Sequence, residues 1–203
     1  MRKFRFMPAG AVVRSLVFTL ALWPGAALAE RYEIVVGDKT EVVFESHAPM
    51  EKFKGRTGQV QGWLEVDLDD LTSPVELVVE VDLASFDTGK GKRNRHMREN
   101  HLETDKYPAA FFRGGQVSEA TASGLAVGGT VALKLTGTLD LHGVTREMTC
   151  EVTLQRPAAA ELLVEARFVV LLPDHKIERP KFLIMKLGED QKVTAQLSLK
   201  KES

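Results

Sequence analysis

From Arg31 onward the chain alternates apolar and polar residues with a period of two, and one long charged stretch interrupts the pattern. Side chains point to opposite faces only along a strand, whereas a helix repeats every 3.6 residues, so this alternation restricts the fold to sheets with one buried face. The clearest run places Val131, Leu133, Leu135, Leu139 and Leu141 against Thr130, Lys134, Thr136, Thr138 and Asp140. His142-Gly143 then reads as a tight turn. After it, Val144, Met148, Cys150, Val152 and Leu154 face inward against Thr145, Glu147, Thr149, Glu151 and Thr153, which predicts a long hairpin.

The remaining segments are shorter versions of the same signal. Tyr32, Ile34 and Val36, then Val42 and Phe44, form the first inward set. A strand from about Lys54 carries Val60, Gly62, Leu64, Val66 and Leu68, and the next carries Val75, Leu77, Val79, Val81 and Leu83. Ala109 to Val117, Glu161 to Leu172, Phe182 to Leu187 and a final strand through Val193, Ala195, Leu197 and Leu199 complete the series. Leu163, Val169 and Leu171 fall on the outward phase, which predicts cover on both faces there. Eight or nine antiparallel strands leave sticky edges unless the sheet closes, so a single barrel is expected, with bends at Gly62 and Gly137; a two-sheet sandwich is the alternative.

The interruption, Ser85 to Phe112, is rich in charge and predicts one short helix, capped by Thr88 and anchored inward by Met97. His96 and His101 are five apart, which on an α-helix separates them by about 140° and argues against shared metal ligation. Arg93, His96 and Arg98 read either as a solvated face bonded to loop carbonyls or as a basic rim for a polar head group. His142 and His175 sit in turns and are expected at the surface. No G-x-S-x-G, phosphate-binding glycine loop, H-E-x-x-H or C-x-x-C is present, so neither a catalytic residue nor a metal ligand is assigned.

Residues 1–29 stand apart. Arg2, Lys3, Arg5 and Arg14 precede an apolar run, and Ala27-Leu28-Ala29 follows, the pattern of a cleaved export signal. The expected mature domain is 30–203, located in the periplasm. Loss of the four leader cations from a chain of 27 basic and 28 acidic residues leaves a net charge of about −5, no footprint for nucleic acid. Cys150 is the one cysteine, so no internal disulfide forms and a buried thiol is expected.

The inward phases are almost wholly apolar, with Arg146 the main exception. A barrel of about eight strands is either filled by its side chains or encloses one small ligand, and the residues alone leave both open. If a cavity exists, Phe44, Leu64, Val79, Val81, Phe86, Met97, Phe112, Leu133, Leu135, Met148 and Phe168 are its candidate lining, with Asp87, Arg93, His96, Arg98 and Arg146 as polar groups at the mouth or hinge. Such a lining suits one hydrophobic small molecule and needs no cofactor. A filled core would instead suit an interaction module. The basic helix beside an apolar mouth is compatible with transient contact with a membrane or envelope protein, or with a homodimer.

Three ordered motifs resemble the YceI family. They are S-F-D-T with R-N-R-H-M-R from Ser85 to Arg98, K-Y-P-A-A-F-F from Lys106 to Phe112, and L-T-G-T-L-D-L-H-G-V-T-R from Leu135 to Arg146. The resemblance implies a lipocalin-like antiparallel barrel that binds a polyisoprenoid, an isoprenoid quinone or a fatty-acid-like lipid without catalysis. By position it places Asp87, Arg93, His96 and Arg98 at the family's hinge, and Tyr107 and Phe112 at its strand entry. Two departures, Asn100-His101-Leu102 and the segment Asp174-His175-Lys176-Ile177 with Glu178-Arg179-Pro180, both fall where a barrel end is expected.

Overall fold

The computed structural model describes residues 29–48, 51–179, 181–182 and 185–202; most of the expected leader lies outside these residues. Ten strands form one sheet: β1 (Glu30–Ile34), β2 (Glu41–Ala48), β3 (Glu51–Thr57), β4 (Val60–Val66), β5 (Glu76–Asp82), β6 (Ala109–Ser118), β7 (Thr130–Leu141), β8 (Val144–Ala158), β9 (Glu161–Leu171) and β12 (Asp190–Lys201). The ring runs β1-β4-β5-β6-β7-β8-β9-β12 and closes where Tyr32, Glu33 and Ile34 pair with Lys201, Lys200 and Leu199. The result is a closed antiparallel barrel of eight strands.

The remaining two strands extend its wall. β2 pairs with the first half of β12, and β3 pairs with β2, so β1 with β2 and β3 with β4 are each one wall strand broken in the middle. At the first break Thr40 is buried; its hydroxyl donates to the Val35 carbonyl (2.6 Å) and accepts from the Ser198 amide (3.2 Å). Satisfied backbone groups make the break tolerable. Val36, expected to face inward, is 59% exposed there.

The long hairpin forms with all twelve β7 residues in register with β8. Its two-residue turn needs positive φ at both positions, and His142 (54°) and Gly143 (70°) supply it. Two other expectations change. Of the strand expected from Phe182 to Leu187, residues 183–184 lie outside the described residues; on either side are two-residue strands, β10 (Lys181–Phe182) and β11 (Met185–Lys186), paired with each other. Val169 and Leu171 are 50% and 44% exposed, so that face of β9 is not covered, because no described element crosses it.

One end of the barrel is a floor. Tyr32, Leu71 and Leu162 are fully buried there, joined by Leu125. The connections that supply Leu71 and Leu125 are tied together, Leu71 N to Ser123 O and Leu125 N to Leu68 O, each 2.7 Å. Tyr32 donates to Glu30 (2.7 Å); burial and that carboxylate push its phenol up to about 12. The other end is covered by the 83–108 connection, which holds a 3₁₀ turn (Leu83–Ser85), α1 (Gly91–His96) and a π-helical turn (Met97–His101).

Candidate functional site

The connection leaves the sheet by extending it. Arg56 and Asp87 exchange both backbone hydrogen bonds at 2.9 Å, so the segment after Phe86 starts as an added rung on β3. The Asp87 carboxylate then accepts from the Asn94 side chain (2.7 Å) and the Gly89 amide (2.9 Å), and these donors hold it below the usual carboxylate range. Thr88 does not cap the helix. The residue before α1 is Lys90, with no side-chain cap; Thr88 instead donates to Asn94 Oδ1 (2.6 Å) and accepts from Arg93 Nε (2.9 Å). Arg93 also donates to the Thr88 carbonyl (2.8 Å) and lies 4.0 Å from the Phe53 ring centre.

Beneath this cover lies a cavity of about 980 Å³, at the upper end of the range of small-molecule sites. Its walls come from every strand of the ring, so of the two readings left open by the sequence the cavity holds and the filled core does not. Phe44 (β2), Leu64 (β4), Val79 and Val81 (β5), Phe86, Met97, Phe112 (β6), Leu133 and Leu135 (β7) and Phe168 (β9) all line it. Phe44 reaches Phe86 edge-on at 5.3 Å, and its ring lies across Gly55, its partner on β3. Met148 packs against the core without lining the cavity: it pairs with Gly137, and the Phe112 ring takes the space over that glycine.

The charged lining is confined to one segment, Lys90, Lys92, Arg93, His96 and His101. With the floor sealed at the opposite end, this segment marks the mouth. Asp87, Arg98 and Arg146 are outside the lining. Arg98 donates to the Ala84 carbonyl (3.4 Å), and Arg146, expected on the inward phase, is exposed and donates to the Asp174 carbonyl (3.3 Å). Burying an unpaired guanidinium in an apolar lumen would be costly.

His96 and His101 do not sit as an α-helix would place them. The Leu102 amide bonds to the Met97 carbonyl (2.8 Å), five residues back, and this wider turn brings both imidazoles to the cavity. No group of three or more metal-ligating side chains is found among the described residues. His101 Nδ1 lies 2.9 Å from the Glu178 carbonyl, which can only accept, so Nδ1 carries the proton. Burial first, and His96 nearby, lower the pKa of His101 below the ordinary 6.5, against the opposing pull of Glu178. A lowered histidine pKa contributes stability above about 6.5 that is lost as pH falls, since the unfolded imidazole protonates first. Acidification from about pH 7.5 to about pH 5 should therefore lower the amide protection factors at 97–102 and 177–179, taken against the intrinsic exchange rate at each pH, and His101→Gln should remove that dependence.

Of the histidines expected at the surface, His175 is buried and His142 is half-buried. His175 is 4% exposed, with Nδ1 at 3.1 Å from the Val144 carbonyl. His142 contacts Glu103 (3.0 Å), the His175 carbonyl (3.1 Å) and the Tyr107 ring, 4.5 Å between centres. Together they clasp the end of the connection to the β7–β8 turn. Cys150 lines the lumen wall, and burial pushes its thiol up to about 11, so it remains protonated and apolar.

Comparison with known proteins agrees with this architecture. A polyisoprenoid binding domain from Saccharophagus degradans, implicated in plant cell wall breakdown, superposes with a TM-score of 0.66 at 23% identity, over 86% of this chain and 99% of that one. Burkholderia cenocepacia BcnA superposes at 0.63 and 17% identity, over 81% and 98%. In sequence, a UPF0312 protein of Vibrio parahaemolyticus is 30% identical over 138 residues, 67% of this chain and 68% of that protein. A UPF0312 protein of Vibrio campbellii is 31% identical over the same shares. The YceI-like domain model matches residues 32–199, nearly the whole barrel, and the chain belongs to the YceI family.

Proposed function

We propose that this protein holds one long hydrophobic molecule inside the barrel, a polyisoprenoid, isoprenoid quinone or fatty-acid-like lipid, and carries or sequesters it in the periplasm after export. The observation that carries this reading is the apolar cavity of about 980 Å³, with a sealed floor and a mouth beside the 90–101 segment. About ten buried methylenes contribute about 8 kcal/mol before ordering costs, which sets the micromolar scale as the upper limit for a segment of that length and favours a longer chain. The structural neighbour from Saccharophagus degradans, a polyisoprenoid binding domain, supports the same class. The role needs no catalytic group and no cofactor. Brief docking on a membrane or an envelope protein would allow loading and release.

The test is mass spectrometry of organic extracts from protein expressed with its leader and purified without detergent. A near-stoichiometric apolar species is expected. Repeated absence of one from several preparations would overturn the reading.

A further inference from the structure

The cavity walls are apolar and the charged lining is confined to the mouth, yet two uncharged polar side chains break the wall. Ser46 on β2 is 2% exposed and Gln191 on β12 is 6% exposed. Lys192 pairs with Glu45, so the next step of the register sets Gln191 beside Ser46. Both follow the inward phase of Phe44 and Val193, which also line the lumen.

Among the described residues the Ser46 hydroxyl is buried without a hydrogen-bond partner. Proteins seldom leave such a group unsatisfied, and alanine or valine would fill this position without the penalty. The Gln191 amide nitrogen donates to the Gly188 carbonyl (3.0 Å), which fixes the amide orientation and leaves its oxygen to accept. One hydroxyl donor beside one carbonyl acceptor matches a ligand hydroxyl, which accepts from the first and donates to the second. A carboxylate fits less well. Of the lining cations, Arg93 stacks on the ring of Phe53, the residue that pairs with Ser46, and it is engaged by Thr88.

We infer that Ser46 and Gln191 form a neutral polar subsite inside the barrel, and that it takes the hydroxyl of a long-chain alcohol. The inference rests on the cavity being a lipid site, so its test separates the two. Delipidated mature protein is titrated with hexadecan-1-ol, hexadecane and hexadecanoate, read by native mass spectrometry. The alcohol should bind about tenfold more tightly than the alkane. Ser46→Ala combined with Gln191→Leu should erase that preference and leave hexadecane within about twofold; Ser46→Ala alone, which removes a single oxygen, should reduce it if the double variant fails to fold. Equal binding of alcohol and alkane by the unmodified protein would overturn the subsite and leave the carrier reading intact. Tighter binding of hexadecanoate than of the alcohol by both proteins would also overturn it, moving the polar end to the cationic mouth. Binding of none of the three would overturn both readings.

Discussion

Gly62→Val should lower the stability of the barrel by about 3 kcal/mol or more, the sum of a strained backbone and an overpacked wall. Gly62 sits on β4 opposite Val79 with φ at 139°, a conformation that side-chain-bearing residues rarely adopt. A Cβ at this position would also overlap the Val78 carbonyl oxygen and come within 3.1 Å of the Val79 Cα. Neither contact can relax by rotating a side chain, because both atoms belong to the backbone of the paired strand. For a domain of this size the loss corresponds to a fall in Tm of about 6–12 °C, measurable by thermal unfolding of delipidated protein. Gly37→Ala is the control: nothing lies within 4 Å of a Cβ there, and its change should stay within about 0.5 kcal/mol. A Tm for Gly62→Val equal to that of the control would show that the bend does not depend on glycine.

The barrel itself was legible because period-two alternation survives in most of its strands. The Val131–Leu154 hairpin reads directly, since its inward phase is apolar but for Arg146 and the turn residues tolerate positive φ. What sequence hid were the breaks. Nothing in Val35 to Thr40 announces that Val36 leaves the wall, because the compensation comes from Thr40 and from Ser198, 158 residues away. Nor could alternation show that Val169 and Leu171 stay uncovered, since cover depends on where other elements pass.

The site was legible in its apolar part and hidden in its polar part. Inward phase located the walls, but phase says nothing about whether opposing side chains meet, and so could not separate a cavity from a filled core. Ideal α-helical spacing sets His96 and His101 about 140° apart, whereas the turn from Met97 to His101 is π-helical and brings both to the cavity. His142 and His175 were assigned to the surface by their turns, although Tyr107 and Glu103 arrive from the connection to bury His142. A sequence signal for Ser46 existed: it follows Val42 and Phe44 on the inward phase, where a polar residue needs an explanation.

Ala166→Trp should empty the barrel of lipid while leaving the fold in place. Ala166 on β9 lines the cavity and pairs with Ala195 on β12, so two of the smallest side chains lie together and leave a low place in the wall. An indole there projects into space now available to a ligand. Leu135 is a poorer choice, because its Cδ1 is only 2.6 Å from where a Cβ on Gly115 would stand, which wedges it against the β6 bulge. Overpacking a filled core costs roughly 1–3 kcal/mol, but a ring that enters an empty lumen displaces no protein atoms, and the change should stay below about 1 kcal/mol. The comparison must use delipidated proteins, since a ligand at a hundred times its Kd adds about 2.7 kcal/mol of apparent stability that the variant would lose. Extracts of the natively purified variant should hold at least about tenfold less lipid than wild type, which from that degree of saturation means that the ring removes about 4 kcal/mol of binding or more. Val169→Trp places the same ring on the exposed outer face of the same strand, and its lipid content should not change. Equal lipid in Ala166→Trp and Val169→Trp would mean that the ligand lies outside the barrel, whatever the size of the cavity within it.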